Sequence, residues 1–184
     1  MAVYVDGKPQ FTYAEHRLYP EDGRRHETIH GDHYVSPAPS TNHQDASRHI
    51  QFSLYQQIEM TGRGKVFDAP VDVQLTETDI VQPDIVVVLR EHRRIVLPSR
   101  IRGIPDLVVE ILSPSTADHD TTLKRALYER VGVPEYWIVD QDEQAITRYQ
   151  LRGDHYGDGV RLTETIAFDE ANVDLSRVWE LLAQ

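Results

Sequence analysis

Two short runs of β-forming residues, each interrupted by one carboxylate, set the strongest constraint on how this chain can fold. The first is Val81-Gln82-Pro83-Asp84-Ile85-Val86-Val87-Val88 and the second is Leu107-Val108-Val109-Glu110-Ile111-Leu112. Near-continuous Val/Ile/Leu runs of this length are the pattern of strands covered on both faces. A lone charge in such a strand costs several kcal/mol unless it is paired or ligates a metal. The carboxylates lie 110 − 84 = 26 positions apart, room for one strand, an arginine-rich excursion and a return strand. Alternation places Val108, Glu110 and Leu112 on one face of the second run. Neighbouring strands would then bring Asp84 and Glu110 to one divalent-cation site. Hard cations such as Mg²⁺ take carboxylate oxygens and keep several waters, so two or three acids suffice.

The chain of 184 residues fits a single domain, residues 1–184, large enough to bury a core. With no cysteine it has neither disulfides nor thiolate metal sites, which fits a reducing cytoplasm. The first residues, Met1-Ala2-Val3-Tyr4-Val5-Asp6, lack the basic start and apolar stretch of a signal peptide. No apolar run is long enough to span a bilayer, and a soluble cytoplasmic protein is expected. The formal charge of −11 argues against a nonspecific nucleic-acid binder. The charge is uneven, however. Arg90 to Arg130 holds eight Lys/Arg and six Asp/Glu, a balance of +2, which leaves −11 − 2 = −13 for the rest. A cationic rim around an acidic metal site suits a phosphodiester substrate.

The remaining patterns predict an α/β domain with a mixed central sheet. A short helix over 11–18 has Thr12 and Glu15 as a capping box. A hairpin follows, Arg25–His30 and His33–Val35, turning at Gly31-Asp32. Ser36-Pro-Ala-Pro-Ser40 breaks the chain before a helix from about Thr41 to Met60. Thr41 and Gln44 would cap this helix, and Ala46, Ile50, Leu54 and Ile58 would stack on one face. Strands are expected at 65–75, 84–89 and 106–112, and a helix at 121–131 with Asp120 or Thr121 as its N-cap. Glu135–Asp140, then a meander of 145–151 and 160–166, precede a last helix capped by Asp174.

Lys124 falls one turn into the helix after the Glu110 strand, where it could reach back to the carboxylates. There it would orient hydroxide or stabilise a pentacovalent oxyanion. The bland alternative is a surface lysine paired with Asp120 four residues earlier. Glu27, alone with Ile29 on its face of the hairpin strand, is a candidate third acid; its alternative is pairing with Arg24 or Arg25. The nine histidines invite a zinc hypothesis, but hairpin spacing is not expected to converge His26, His30 and His33. His43 is expected to approach the site or simply to sit on the surface at the helix start.

The segment Gly103-Ile-Pro-Asp-Leu-Val-Val-Glu-Ile-Leu-Ser-Pro-Ser-Thr-Ala, with Asp120-Thr-Thr-Leu-Lys-Arg125 and Tyr128-Glu-Arg-Val-Gly-Val-Pro-Glu-Tyr-Trp-Ile-Val-Asp140, resembles the bacterial putative restriction endonuclease domain family. That family, long called a domain of unknown function, belongs to the PD-(D/E)XK nuclease superfamily. Glu27-Thr-Ile-His-Gly31, Ser36–Ser40, His43-Gln44, Ala69-Pro-Val-Asp-Val73 and Gln82-Pro-Asp-Ile-Val86 match in order, so the resemblance covers roughly residues 20–180. It implies a restriction-endonuclease-like core, a mixed central β-sheet flanked by helices. Asp84 would be the motif's first acid and Glu110 its second. Two positions after Glu110, where the superfamily carries lysine, stands Leu112; the resemblance assigns that role to Lys124.

The expectation is therefore a Mg²⁺- or Mn²⁺-dependent nuclease acting on DNA. Glu27, Asp84, Glu110 and Lys124 would form its site, the three acids holding the metal. Duplex cleavage needs one site per strand, hence an expected homodimer. The rival keeps the fold without cleavage, as a nucleic-acid-binding or protein-interaction module with a decayed site.

Overall fold

The Glu110 run is the strand Leu107–Ile111, buried along its length, in a computed structural model that describes residues 3–5, 8–113, 117 and 119–182. It lies inside a six-stranded sheet of order Val160–Leu162, Ala145–Gln150, Glu135–Asp140, Leu107–Ile111, Ile85–Leu89, Gly64–Asp68. Leu107–Ile111 runs parallel to Glu135–Asp140 and antiparallel to Ile85–Leu89, which makes the sheet mixed, as expected. A parallel pair requires a crossover. Here the helical stretch His119–Lys124 and Arg125–Val131 supplies it. A second six-stranded sheet has the order Asp32–Ser36, Arg25–Ile29, Ile80–Val81, Val73–Gln74, Arg100–Arg102, Val96–Leu97.

The pleat divides the core in two. Ile85, Val87, Leu107, Val109, Ile111, Trp137 and Val139 pack against Ala46, Ile50 and Leu54 of helix Thr41–Leu54 and Val178 and Trp179 of helix Leu175–Leu182. On the opposite face, Val86, Val88, Val108, Tyr136 and Ile138 meet Leu127 and Tyr128 of the crossover and Ile29, Val73 and Val81 of the second sheet. Glu110 alternates with Val108 and therefore belongs to this second face. At about 25 cal/mol per Å² of buried apolar surface, a filled two-sided core is what permits a few costly charges inside it.

Several boundaries differ from the sequence expectation. The hairpin strands are Arg25–Ile29 and Asp32–Ser36, so the turn is His30-Gly31, one residue early. Both turn residues have positive φ (53° and 77°), the hand that matches strand twist. A Cβ at Gly31 would come within 2.4 Å of Gln10 Cβ. The long helix is capped by Ser40, whose hydroxyl accepts from the His43 amide at 3.2 Å, and its last turn, Tyr55–Glu59, is π-helical. The strand expected at 65–75 is two strands in different sheets, Gly64–Asp68 and Val73–Gln74, separated by Pro70, which has no N–H for a ladder.

At 160–166 the chain likewise changes partner. Val160–Leu162 pairs with Ala145–Gln150, whereas Thr165–Phe168 pairs with Ala171–Asp174. The crossover helix begins at His119, so Asp120 lies within its π-helical turn rather than capping it. Thr121 does not cap it either; its hydroxyl donates to the Ala117 carbonyl at 2.7 Å. Between Ser113 and Asp120, residues 114–116 and 118 lie outside the described residues. The Thr12/Glu15 capping box and the Asp174 cap are present as expected. Among the described residues, no helix is long and apolar enough to cross a membrane.

Candidate active site

Four separate segments deliver the expected residues to one cavity. Glu27 comes from the hairpin strand, Asp84 from the entry to strand Ile85–Leu89, Glu110 from strand Leu107–Ile111, and Lys124 from the crossover helix. The antiparallel register pairs Val109 with Ile85, which brings Glu110 level with Asp84 on the next strand. All four are at most 5% exposed. The cavity, about 190 Å³, is roofed by the segment Ser36–Ser40.

Lys124 is the hub. Its Nζ lies 2.9 Å from Glu110 Oε1, 3.1 Å from Glu27 Oε2 and 3.4 Å from Asp120 Oδ1. The Asp120 pairing is thus real, but it is one of three, and the lysine is buried rather than on the surface. Glu27 Oε1 accepts from the Gln82 amide at 2.8 Å. Neither expected arginine alternative holds for Glu27: Arg24 pairs with Asp22 and Arg25 with Asp84.

Asp84 is held from three sides. Arg25 lies 2.6 Å from Oδ1, while Oδ2 accepts from the Ile111 amide at 2.7 Å and faces His43 Nε2 at 3.1 Å. Burial alone would raise its pKa, but the His43 hydrogen bond and the Arg25 charge outweigh burial and hold it below the usual carboxylate value. Glu110 goes the other way. Burial, together with Asp120, Asp84 and Glu27, keeps its carboxyl well above the ordinary value despite Lys124. For Lys124, burial pushes down, but Glu110, Glu27 and Asp120 prevail and hold the ammonium protonated. Two carboxylates whose environments push them apart in this way are the pattern of groups with divided chemical roles.

Sequence reasoning undervalued four contributors. Arg25 entered only as a partner for Glu27. His43 entered only as one of two options, and the structure places it against Asp84. Asp120 was expected as a cap and instead faces the cavity. Tyr128, four residues after Lys124 on the same helical face, donates its hydroxyl to Glu110 Oε1 at 2.8 Å. That spacing was the available signal for it. Elsewhere, the hairpin does bring two histidines together: His26 Nδ1 and His33 Nε2 are 2.9 Å apart, with Asp22 on the far nitrogen of His26.

The donor chemistry suits a hard divalent cation, since four carboxylates line the cavity against two fixed cations, Arg25 and Lys124. The spacing is less complete. Among the described residues, no three His, Asp or Glu groups stand as a ready cation shell. In this structure the Lys124 ammonium is the cation that Glu27, Glu110 and Asp120 share, while Arg25 faces Asp84.

The mixed sheet thus carries Asp84 and Glu110 on adjacent strands, with Arg25 and His43 on Asp84 and Lys124 against Glu110, Glu27 and Asp120. The chain matches the family model Uma2, described as "Putative restriction endonuclease", over residues 13–173, and it belongs to that family. It is similar to the crystal structure of "a putative nuclease belonging to DUF820" from Anabaena variabilis, with a TM-score of 0.78 and 18% identity, covering 94% of this chain and 99% of that one. At that identity the likeness speaks for the fold. Comparison with curated proteins finds no match.

Proposed function

We propose that this protein hydrolyses phosphodiester bonds in DNA with the help of Mg²⁺ or Mn²⁺. One observation carries the reading: Glu27, Asp84, Glu110 and Lys124, from four distant segments, converge in a single cavity with their charges buried. Maintaining such a cluster costs several kcal/mol of desolvation per ion, a cost expected of a functional site.

Asp84, Glu110 and Glu27 are the residues that would hold the cation. A bound divalent ion would supply a water of lowered pKa and neutralise charge developing on the phosphoryl group. The remaining work belongs to the chain. Lys124, kept protonated by its three acids, places a positive charge where hydroxide or the pentacovalent oxyanion would sit. Arg25 and His43 fix the Asp84 carboxylate in its ionised form. Tyr128 and Lys124 donate to the same oxygen of Glu110 and so fix its rotamer. Cutting a duplex would require a symmetric pair of chains, one site for each strand; cutting a single strand would not.

A second reading draws on the incomplete cation shell: a binding module on a repurposed site. Incubating mixed plasmid and single-stranded DNA with Mg²⁺ or Mn²⁺ decides between them. Cleavage by the wild type and none by Glu110→Ala supports the nuclease. Intact DNA at stoichiometric enzyme supports the module.

A further inference from the structure

A second cavity, about 220 Å³, adjoins the first, and Arg25, Pro39, His43 and Asp84 line both. Its outer wall is the polar side of helix Thr41–Leu54, with Gln44, Ser47, Arg48 and Gln51, facing Asp68 at the end of strand Gly64–Asp68. We infer that this second cavity is a subsite for the unpaired base next to the scissile phosphate, so that the substrate strand enters the site single-stranded. The inference rests on the nuclease reading above and adds the form of nucleic acid.

Three features support it. First, the wall mixes donors with an acceptor. The glutamine amides and the Arg48 guanidinium can donate and Asp68 can accept, which is the chemistry of a base edge. A phosphate alone would not be met by Asp68. Second, His43 stands at the junction, 6% exposed, and its Nδ1 has no hydrogen-bond partner among the described residues. A buried imidazole nitrogen left unsatisfied is uncommon, and His43 lines both cavities. Third, the cations are few. Among the described residues, Arg25, Arg48 and Lys124 are the only Lys or Arg lining the two cavities, against Glu27, Asp68, Asp84, Glu110 and Asp120. A duplex held through many phosphates calls for more Lys and Arg than this. Glu27, Asp84 and Glu110, at most 3% exposed in a cavity also lined by Ser36–Ser40, also favour a flexible strand over a stiff duplex.

The test uses the variant Arg48→Ala/Gln51→Ala, two residues outside the proposed catalytic group. Among the described residues Arg48 pairs only with Asp45, at the surface, so the variant should fold. A fluorescent single-stranded oligonucleotide, its duplex, and bis(p-nitrophenyl) phosphate are compared with Mn²⁺. The single strand should bind about tenfold more tightly than the duplex by anisotropy. The double variant should weaken single-strand binding and raise its KM about tenfold, with kcat and small-diester hydrolysis unchanged. Equal binding of both DNA forms, or unchanged single-strand binding by the variant, overturns the subsite. Cleavage of the oligonucleotide and of the small diester reports separately on the nuclease reading, and the absence of both sinks that reading whatever the anisotropy shows.

Discussion

Lys124 Nζ and Glu110 Oε1 meet at 2.9 Å with both side chains buried, so this fold encloses a cation and a carboxylate together. Removing the lysine strands the acids that share it, a loss of about 3–5 kcal/mol, whereas Lys124 without Glu110 keeps Glu27 and Asp120. The acids outnumber the cations here, and the consequence for Lys124 can be read in both stability and rate.

Lys124→Ala should unfold at lower temperature than the wild type without metal, because Glu27, Glu110 and Asp120 lose their shared cation. Mn²⁺ should raise its melting temperature more than it raises that of the wild type, the ion replacing the missing charge. Single-turnover cleavage should fall by about 10²–10³-fold, the usual cost of one oxyanion-stabilising group. Lys124→Arg should not recover the rate, since a planar guanidinium is no compact point charge. A Lys124→Ala rate within a few-fold of wild type would remove Lys124 from the chemistry.

The two strand acids should differ in their pH signatures. Asp84 has a folded pKa below its unfolded value, so its contribution is present above the unfolded value and is lost as pH falls through the folded one. Glu110 has a raised pKa, so its contribution is complete below the unfolded value and disappears as pH rises through the folded one. Metal-free Asp84→Asn should therefore lose about 1.5–3 kcal/mol at neutral pH, the worth of hydrogen bonds to a charged group. Glu110→Gln should be at least as stable as wild type there. Thermal unfolding from acid to mildly alkaline pH checks both, and a Glu110→Gln protein clearly weaker than wild type at neutral pH would refute the raised carboxyl.

Tyr128→Phe keeps the ring that fills the core and deletes the hydroxyl bound to Glu110. Groups that orient a metal ligand typically contribute 10–100-fold in affinity. Mn²⁺ affinity should drop by about tenfold while the fold persists. Unchanged affinity would make the hydroxyl a packing contact only.

Much of this site was legible in the chain because burial and period are local signals. A carboxylate inside Val-Val-Glu-Ile-Leu announces an unusual strand, and Asp84 after Pro83 marks the entry of the next. What stayed hidden depended on register and long-range approach. The turn falls at His30-Gly31, one residue before the expected Gly31-Asp32, with positive φ at both residues giving the hand that suits the strand twist. Pro70 split one expected strand between two sheets, which no alternation pattern shows. Arg25 and His43 lie 41 to 59 positions before Asp84 in sequence (84 − 43 and 84 − 25), and only the assembled sheets bring them to its oxygens. His26 and His33 meet for the same reason, across a hairpin whose register the sequence left one residue open.

The central claim is that Asp84 and Glu110 hold a divalent cation, and calorimetric titration of the metal-free protein with Mn²⁺ tests it most directly. The wild type should take up Mn²⁺ saturably at the acid cluster, and Asp84→Asn and Glu110→Gln should each abolish that binding while remaining folded. Mn²⁺ affinity unchanged in both variants, or no binding by the wild type, would contradict it.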